Sequence, residues 1–203
     1  MMSSSDAHSP HKLGREANLF HTTFAYDSLF KAVQSKNGFL GTYEFYPEEG
    51  KYSYDGHRKC GVCFSPGETK KHKGLCPVCK KPLTIGVMNR IDSLADQSQQ
   101  TDTSTNFHYI VPLAEILSEI HGVSPESKRV IQQYIEVINR FGNEFTLLQQ
   151  VSIEDIRSFN TVLAEAIHNM RTGKVYRKAG YDGVYGTISV LEKKNNEVQL
   201  QMF

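Results

Sequence analysis

The sequence predicts an α+β fold with a four-cysteine module between a strand-containing part and a helical part. Alternating polar and apolar residues near position 42 are typical of a strand, and apolar residues recur at helical spacing after position 107. All four cysteines lie between these regions, at positions 60 to 79. With 203 residues, 39% of them hydrophobic, the chain can bury a modest core, shared between two compact units.

The first elements are short. Residues 1–20 are polar and show no period. Leu29, Phe30 and Val33 can share one helix face before Gly38 ends the helix. Residues 42–46 alternate as a strand, and residues 51–54 would return after a turn at 47–50 to complete a β-hairpin.

The cysteines form two pairs, Cys60/Cys63 and Cys76/Cys79, each with two intervening residues and with twelve residues between the pairs. Two such turns can converge on one tetrahedral Zn²⁺, for which thiolates are suitable ligands. A disulfide between cysteines this close would close a strained ring, and no secretory leader precedes them. Because four protein sulfurs leave no position for water, we expect a structural zinc ion.

After the second pair, residues 82–87 suggest a strand and residues 89–95 a helix, followed by a polar linker at 96–106. Three helices should follow, each marked by an apolar stripe. They end at Gly122, Gly142 and Gly173, and Ser124 and Ser152 should cap the second and third. Residues 184–191 should form a strand after a glycine turn, with residues 197–203 as its hairpin partner.

Charge is unevenly distributed. The net charge of +1 argues against a protein that coats DNA through a uniformly basic surface, but residues 51–90 contain nine basic and two acidic side chains. These cations could be ordinary solvated surface or a phosphate-binding face that holds nucleic acid without reading its sequence. The candidate contacts are Arg58, Lys59, Lys70, Lys71 and Lys73.

No apolar run approaches the length of a membrane span, and the cysteine pattern suits a reducing compartment. We therefore expect a cytoplasmic protein with no membrane partner. Near the N-terminus, Asp6 and His8 are two residues apart and could point toward one metal ion if the segment is extended. By spacing alone a solvated loop is the commoner explanation.

Several motifs together resemble the C-terminal half of endonuclease Q, a group of PHP-domain DNA repair nucleases often described as helicase-related. They are residues 5–10, 13–16, 41–52 and 55–60, both cysteine pairs, and residues 180–186. The resemblance implies an enzyme that nicks DNA on the 5′ side of deaminated bases, and at abasic sites. It also implies that Asp6 and His8 match the last ligand motif of the PHP barrel, which binds a divalent metal only in a complete enzyme.

The resemblance suggests four regions: a barrel remnant at 1–20, a zinc module at 21–95, the linker at 96–106, and a helical DNA-recognition domain at 107–203. The other barrel ligands are missing, and two side chains cannot hold a hydrolytic metal site. We therefore expect no nuclease activity from this chain alone and DNA as its partner. We expect the chain to be either truncated or the product of a split gene, and in the second case a separately encoded PHP barrel would be a further partner. Tyr181 and Asp182 are further candidates near the DNA, although they could merely form a hairpin turn.

Two other functions are compatible with the residues. One is a free-standing zinc-ribbon adaptor that binds nucleic acid or protein. The other is a metallohydrolase in which Asp6 and His8 combine with ligands from another chain.

Overall fold

The computed structural model describes residues 2–96 and 106–191, which form an α+β protein. The chain divides into two compact units. The first comprises Met1–Pro112 and Lys178–Thr187, and the second comprises Leu113–Arg177 and Ile188–Phe203. The sequence instead assigned residues 178–187 to the helical region. Within the described ranges, no helix has the length and apolar character needed to cross a membrane.

A three-stranded sheet begins the first unit. Strand β1 (Ala17–Phe20) pairs antiparallel with β2 (Phe39–Glu44), which pairs in parallel with β5 (Phe107–Tyr109). The predicted helix is α1 (Tyr26–Ser35), which connects β1 to β2. Its apolar side is only partly covered, because Phe30 is 50% exposed and Val33 is 37% exposed.

The predicted hairpin between residues 42–46 and 51–54 is wrong. Strand β2 pairs with β1 and β5 rather than with residues 51–54, and Pro47–Glu49 form a 3₁₀ turn. Tyr54 bridges instead to Tyr181, more than a hundred residues away. An alternating pattern indicates that a segment is extended, but the strand that pairs with it depends on tertiary packing.

The cysteine region contains its own antiparallel pair, β3 (Asp55–His57) and β4 (Val62–Phe64), followed by α2 (Pro66–Lys71) and α3 (Val87–Leu94). The predicted strand at 82–87 contributes only single bridges, such as that between Gly56 and Thr84. Buried Asp55 holds α3 in place, because its carboxylate accepts hydrogen bonds of 2.6 Å from Gly86 N and Asn89 Nδ2.

The described part of the second unit is a bundle of five helices. They are α4 (Leu113–His121), α5 (Lys128–Phe141), α6 (Glu144–Gln149), α7 (Ile153–Phe159) and α8 (Thr161–Arg171). The predicted apolar stripes supply the core, which includes Leu113, Ile116, Leu117, Val130, Val137, Ile156, Leu163 and Ile167, all fully buried.

Helix boundaries differ from the prediction in three places. The cap of α5 is Ser127 rather than Ser124, and α6 was not foreseen. The predicted third helix is two helices, because Asn160 is extended and its side chain accepts a hydrogen bond from Leu163 N at the start of α8. Asparagine competes with the helical backbone in this way and favours a cap over a helix interior.

Partly buried polar contacts stabilise this bundle. The carboxylate of Glu144 accepts hydrogen bonds from Leu113 N and the Tyr134 hydroxyl, each 2.7 Å long. The guanidinium of Arg171 donates 2.8 Å bonds to the carbonyl oxygens of Leu147 and Leu148 at the end of α6. Burial lowers the pKa of Arg171 and, with the Glu144 contact, raises that of Tyr134.

Two short strands, β6 (Tyr176–Lys178) and β7 (Thr187–Ser189), pair with each other. The predicted C-terminal strand therefore exists in part, with a partner that precedes it in sequence. Its predicted partner, residues 197–203, lies outside the described residues, as does most of the predicted linker at 96–106.

Candidate functional site

Four potential metal ligands converge in the first unit. The side chains of His57, Cys60, Cys76 and Cys79 place one ligand atom each within 4.8 Å of one another. Nδ1 of His57 lies 3.6 Å from Sγ of Cys79. Three of the four predicted cysteines are thus together, and a histidine takes the fourth place.

Local turns create this convergence. His57 is the last residue of β3, and Cys60 is the last residue of the 3₁₀ turn Arg58–Cys60. Two residues therefore separate His57 from Cys60, which form the first pair of potential ligands. The second pair lies in a tight turn in which Lys80 N donates to the carbonyl of Cys76 and Cys76 N donates to that of Lys81. Lys80 adopts a left-handed conformation, with φ of 62°, which lets the chain reverse here.

Cys63 is outside the group, contrary to the sequence-based set of ligands. It lies in β4 between Val62 and Phe64, which both pack in the small core with Cys76 and Leu83. Since neighbouring strand residues face opposite sides, Cys63 points away from that core. Its Sγ is 4.0 Å from the carbonyl oxygen of Ala179. The overlapping spacing His57-x-x-Cys60 was the signal in the sequence that could have identified the histidine.

Three sulfurs and one imidazole nitrogen form a donor set that suits Zn²⁺. Burial raises the pKa of Cys60 to about 11, with further contributions from hydrogen bonds to Cys79 and Cys76. The pKa of Cys76 is lowered, because hydrogen bonds from the backbone of Cys79 and Val78 outweigh its own burial. A metal ion would displace the remaining thiol protons, so its affinity should rise with pH.

The predicted basic contacts differ in their surroundings. Arg58 and Lys59 are exposed beside the potential ligand His57, and Lys71 and Lys73 are exposed at and after the end of α2. Lys70 forms a salt bridge with Asp92, which reduces the charge it can offer to a phosphate. Arg58 and Lys59, together with Lys71 and Lys73, therefore remain the stronger candidates.

Tyr181 and Asp182 pack against the cysteine region. The Asp182 carboxylate accepts 2.7 Å hydrogen bonds from the Thr84 hydroxyl and from the backbone N of Arg58, and these contacts lower its pKa. The Tyr181 ring lies over Gly56, where an added Cβ would be 2.3 Å from its Cδ2 atom. These contacts give both residues a structural role, while their role near DNA stays a prediction.

Asp6 and His8 are both exposed. Nδ1 of His8 lies 2.7 Å from the backbone oxygen of Asp6. Among the residues that the structure describes, neither belongs to a group of three potential metal ligands. Their assignment to a PHP metal site stays a prediction.

Comparison with known proteins gives one family match in the helical part and relatives over nearly the whole chain. Residues 112–174 match the model of the MJ0043 C-terminal domain family. The chain is 31% identical to protein MJ0043 of Methanocaldococcus jannaschii, over 95% of this chain and 26% of that protein. It is 30% identical to protein YqxK of Bacillus subtilis, over 92% of this chain and 46% of that protein.

Two solved structures are similar over 97% of this chain and 52% of their own, each at 30% identity. One is the lesion-specific endonuclease PfuEndoQ from Pyrococcus furiosus, with a TM-score of 0.84. The other is endonuclease Q in complex with a 27-mer duplex that has an abasic lesion at the active site, with a TM-score of 0.78. The chain thus spans about half the length of these proteins, and its predicted resemblance to endonuclease Q is confirmed over nearly its whole length.

Proposed function

We propose that this chain is the zinc-binding, DNA-recognition portion of an endonuclease that nicks DNA on the 5′ side of deaminated bases or at abasic sites. The observation that carries this proposal is the structural similarity to a lesion-specific endonuclease over 97% of the chain. A relative that binds a duplex with an abasic lesion supports DNA as the partner.

Zinc has a structural role in this proposal. With His57, Cys60, Cys76 and Cys79 as ligands, the ion has four protein donors and no position for a reacting water. It would join β3 to the turn after α2 in a region whose small buried cluster consists of Val62, Cys76 and Leu83 among the described residues. Such a small core needs additional cross-links for a stable fold.

The nuclease activity would depend on a second part. Hydrolysis of a phosphodiester needs a metal held by several ligands next to the substrate, and Asp6 and His8 supply only two. We therefore infer that the chain does not cleave DNA alone. A PHP barrel would provide the remaining ligands and the divalent metal.

Cations beside the metal group would supply the affinity for DNA. Arg58 and Lys59 follow His57 directly, and Lys71 and Lys73 precede Cys76 by a few residues. All four side chains are exposed on a region whose turns the metal would hold in place. Contacts with phosphate from such residues contribute affinity that falls with salt and depends little on base sequence.

Binding and cleavage by the purified chain test this proposal. We expect fluorescence anisotropy to detect binding to duplex DNA and gel assays to detect no nicking of uracil-containing or abasic duplexes in the presence of Mg²⁺, Mn²⁺ or Zn²⁺. Fusion to a complete PHP barrel should produce nicking. Absence of DNA binding would contradict the proposed recognition role, and nicking by the chain alone would contradict the proposed dependence on a barrel.

A matched pair of variants tests the basic residues. Lys71→Gln/Lys73→Gln should reduce the log–log salt slope of duplex binding by about 1.8, or about 0.9 for each phosphate contact. The control Lys31→Gln/Lys36→Gln removes two exposed charges from α1 and its C-terminal cap. Lys36 and Lys73 both have positive φ, so each double variant places one glutamine in a left-handed backbone conformation. Equal slopes for the two variants would assign Lys71 and Lys73 to ordinary solvated surface.

A further inference from the structure

Four residues form an exposed surface in the first unit that the metal group does not use: Lys51, Tyr52, Arg58 and Tyr185. We call it the tyrosine–lysine surface. The Lys51 ammonium lies 5.5 Å from the centre of the Tyr185 ring and 6.0 Å from that of Tyr52. Tyr185 is 71% exposed and Tyr52 is 47% exposed. Two aromatic rings therefore flank one cation at the protein surface.

The backbone beneath this surface is held in place on both sides. Gly183 N donates to the carbonyl of Lys51 (2.9 Å), and Gly186 N donates to that of Glu49 (3.0 Å). A Cβ at Gly186 would lie 1.9 Å from the carbonyl oxygen of Glu48, so only glycine permits this approach. The segments that carry Tyr52 and Tyr185 are thus fixed to each other before any ligand binds.

Positive charge accompanies the rings. A Cβ added at Gly183 would be 3.7 Å from both Nη1 of Arg58 and the Tyr52 hydroxyl, which places the guanidinium on the same side of the turn as Tyr52. In the described part of the chain, neither Lys51 nor Arg58 forms a salt bridge. The nearby carboxylate of Asp182 is already bound to Thr84 and to the Arg58 backbone.

We propose that the tyrosine–lysine surface binds unpaired nucleotides, with bases stacked on Tyr52 and Tyr185 and phosphates contacted by Lys51 and Arg58. The inference rests on the proposed DNA-recognition function. Aromatic rings among cations are the pattern used to bind single strands, because every unpaired base offers a face for stacking. In a duplex those faces are covered by neighbouring bases, so the surface would bind a strand that has been opened at a lesion.

Binding of a labelled single-stranded DNA of about 16 nucleotides, the upper range for one small binding domain, tests the inference. Tyr185→Leu and Tyr52→Leu should each weaken binding by about 5-fold or more, since stacking on an aromatic side chain contributes about 1–3 kcal/mol per base. The salt slope should not change, because no charge is removed. Tyr185→Phe keeps the ring and should retain the affinity of the unmodified chain.

Two further variants complete this test. Tyr26→Leu is the matched control, because Tyr26 is 79% exposed in α1 of the same unit. This variant should bind the single-stranded DNA with the affinity of the unmodified chain. Lys51→Gln should reduce the salt slope by about 0.7, the value for one phosphate contact on a single strand. Circular dichroism and thermal unfolding of each variant should match those of the unmodified chain, because the altered side chains are exposed.

The outcomes separate this inference from the proposed function. If the unmodified chain binds DNA and Tyr52→Leu and Tyr185→Leu bind equally well, the inference is wrong and the recognition role stands. If Tyr185→Phe is as weak as Tyr185→Leu, stacking on this ring is excluded. If the unmodified chain binds neither single-stranded nor duplex DNA, both the recognition role and the inference are wrong.

Discussion

At the scale of single residues, the main finding is that the group of potential metal ligands contains His57 and not Cys63. A Cys-x-x-Cys spacing usually indicates that both thiols point into one site, and this holds for Cys76 and Cys79. Between Cys60 and Cys63 the chain instead enters β4, and the alternation of the strand turns Cys63 away. His57, at the same spacing on the other side of Cys60, then completes the group.

This group of potential ligands predicts that substitutions of Cys63 and Cys79, which are both partly buried, will have different effects on zinc affinity. Cys63→Ser should keep one zinc ion per chain, whereas Cys79→Ser and His57→Ala should reduce zinc affinity by more than about 100-fold. The basis is that even residues that only orient a ligand affect metal affinity by about 10–100-fold. Competition with a chromophoric chelator measures the affinity, and elemental analysis gives the stoichiometry. A loss in Cys63→Ser as large as that in Cys79→Ser would restore the four-cysteine site.

At the scale of elements, the segment Lys178–Thr187 is held by both backbone and side chains. Tyr54 N donates to the carbonyl of Gly180 (2.9 Å), and the Asp182 carboxylate joins the segment to Arg58 and Thr84. Asp182 has φ of 43°, a conformation that aspartate and asparagine tolerate better than most residues. The position of the Asp182 side chain therefore depends on the positive φ of its backbone as well as on the two hydrogen bonds that its carboxylate accepts.

The depressed pKa of Asp182 makes its contribution to stability dependent on pH. Hydrogen bonds from Thr84 and from the Arg58 backbone favour the carboxylate, so the folded-state pKa lies below the unfolded value of about 3.9. Asp182→Asn should cost about 1 kcal/mol at neutral pH, the typical net value of a hydrogen bond at an exposed site. The difference from the unmodified chain should persist above about pH 4 and vanish as the pH falls through the folded-state pKa.

Urea unfolding of both proteins at a series of pH values measures this difference. Asp27→Asn, an exposed change in the first turn of α1, serves as the control. Comparing variants at each pH removes the contribution of metal-ligand protonation, which is common to all of them. A difference that grows on acidification would contradict the assigned role of Asp182.

At the scale of the whole molecule, the two units differ in what stabilises them. The metal group belongs to the first unit, where the local core around it is small. The second unit has many fully buried aliphatic side chains and its own polar contacts, such as those of Glu144 and Arg171. A structural zinc ion contributes directly to folding free energy, so removal of the proposed zinc ion should affect the units unequally.

We expect a chelator such as EDTA to unfold the region of residues 55–94 while α4–α8 remain folded. Hydrogen exchange should increase in β3, β4 and α3 after metal removal, and amides in α8 should keep their protection. Most of the helical circular dichroism should remain, since the long helices α5 and α8 lie in the second unit. Equal loss of protection in both units, or no loss in the first, would contradict a local structural role for zinc. Adding Zn²⁺ should restore the protection.

Many of the helices and part of the candidate metal site could be predicted from local sequence patterns. The apolar stripes of α4, α5 and α8 follow directly from helical periodicity, and glycines mark where α4 and α5 end. The spacing of Cys76 and Cys79 indicated a shared site because a tight turn by itself brings two such side chains together. These features depend on residues within one or two turns of each other, so the amino-acid sequence alone determines them.

Other features depend on which distant segments meet. Three features follow from long-range packing: the partners of β2, the inclusion of residues 178–187 in the first unit, and the presence of His57 rather than Cys63 in the group of potential metal ligands. A strand pattern does not specify its partner, and a Cys-x-x-Cys spacing does not specify which face of a strand its second cysteine occupies. Only the tertiary structure decides these points, because burial of Val62 and Phe64 in a common core selects the direction in which Cys63 points.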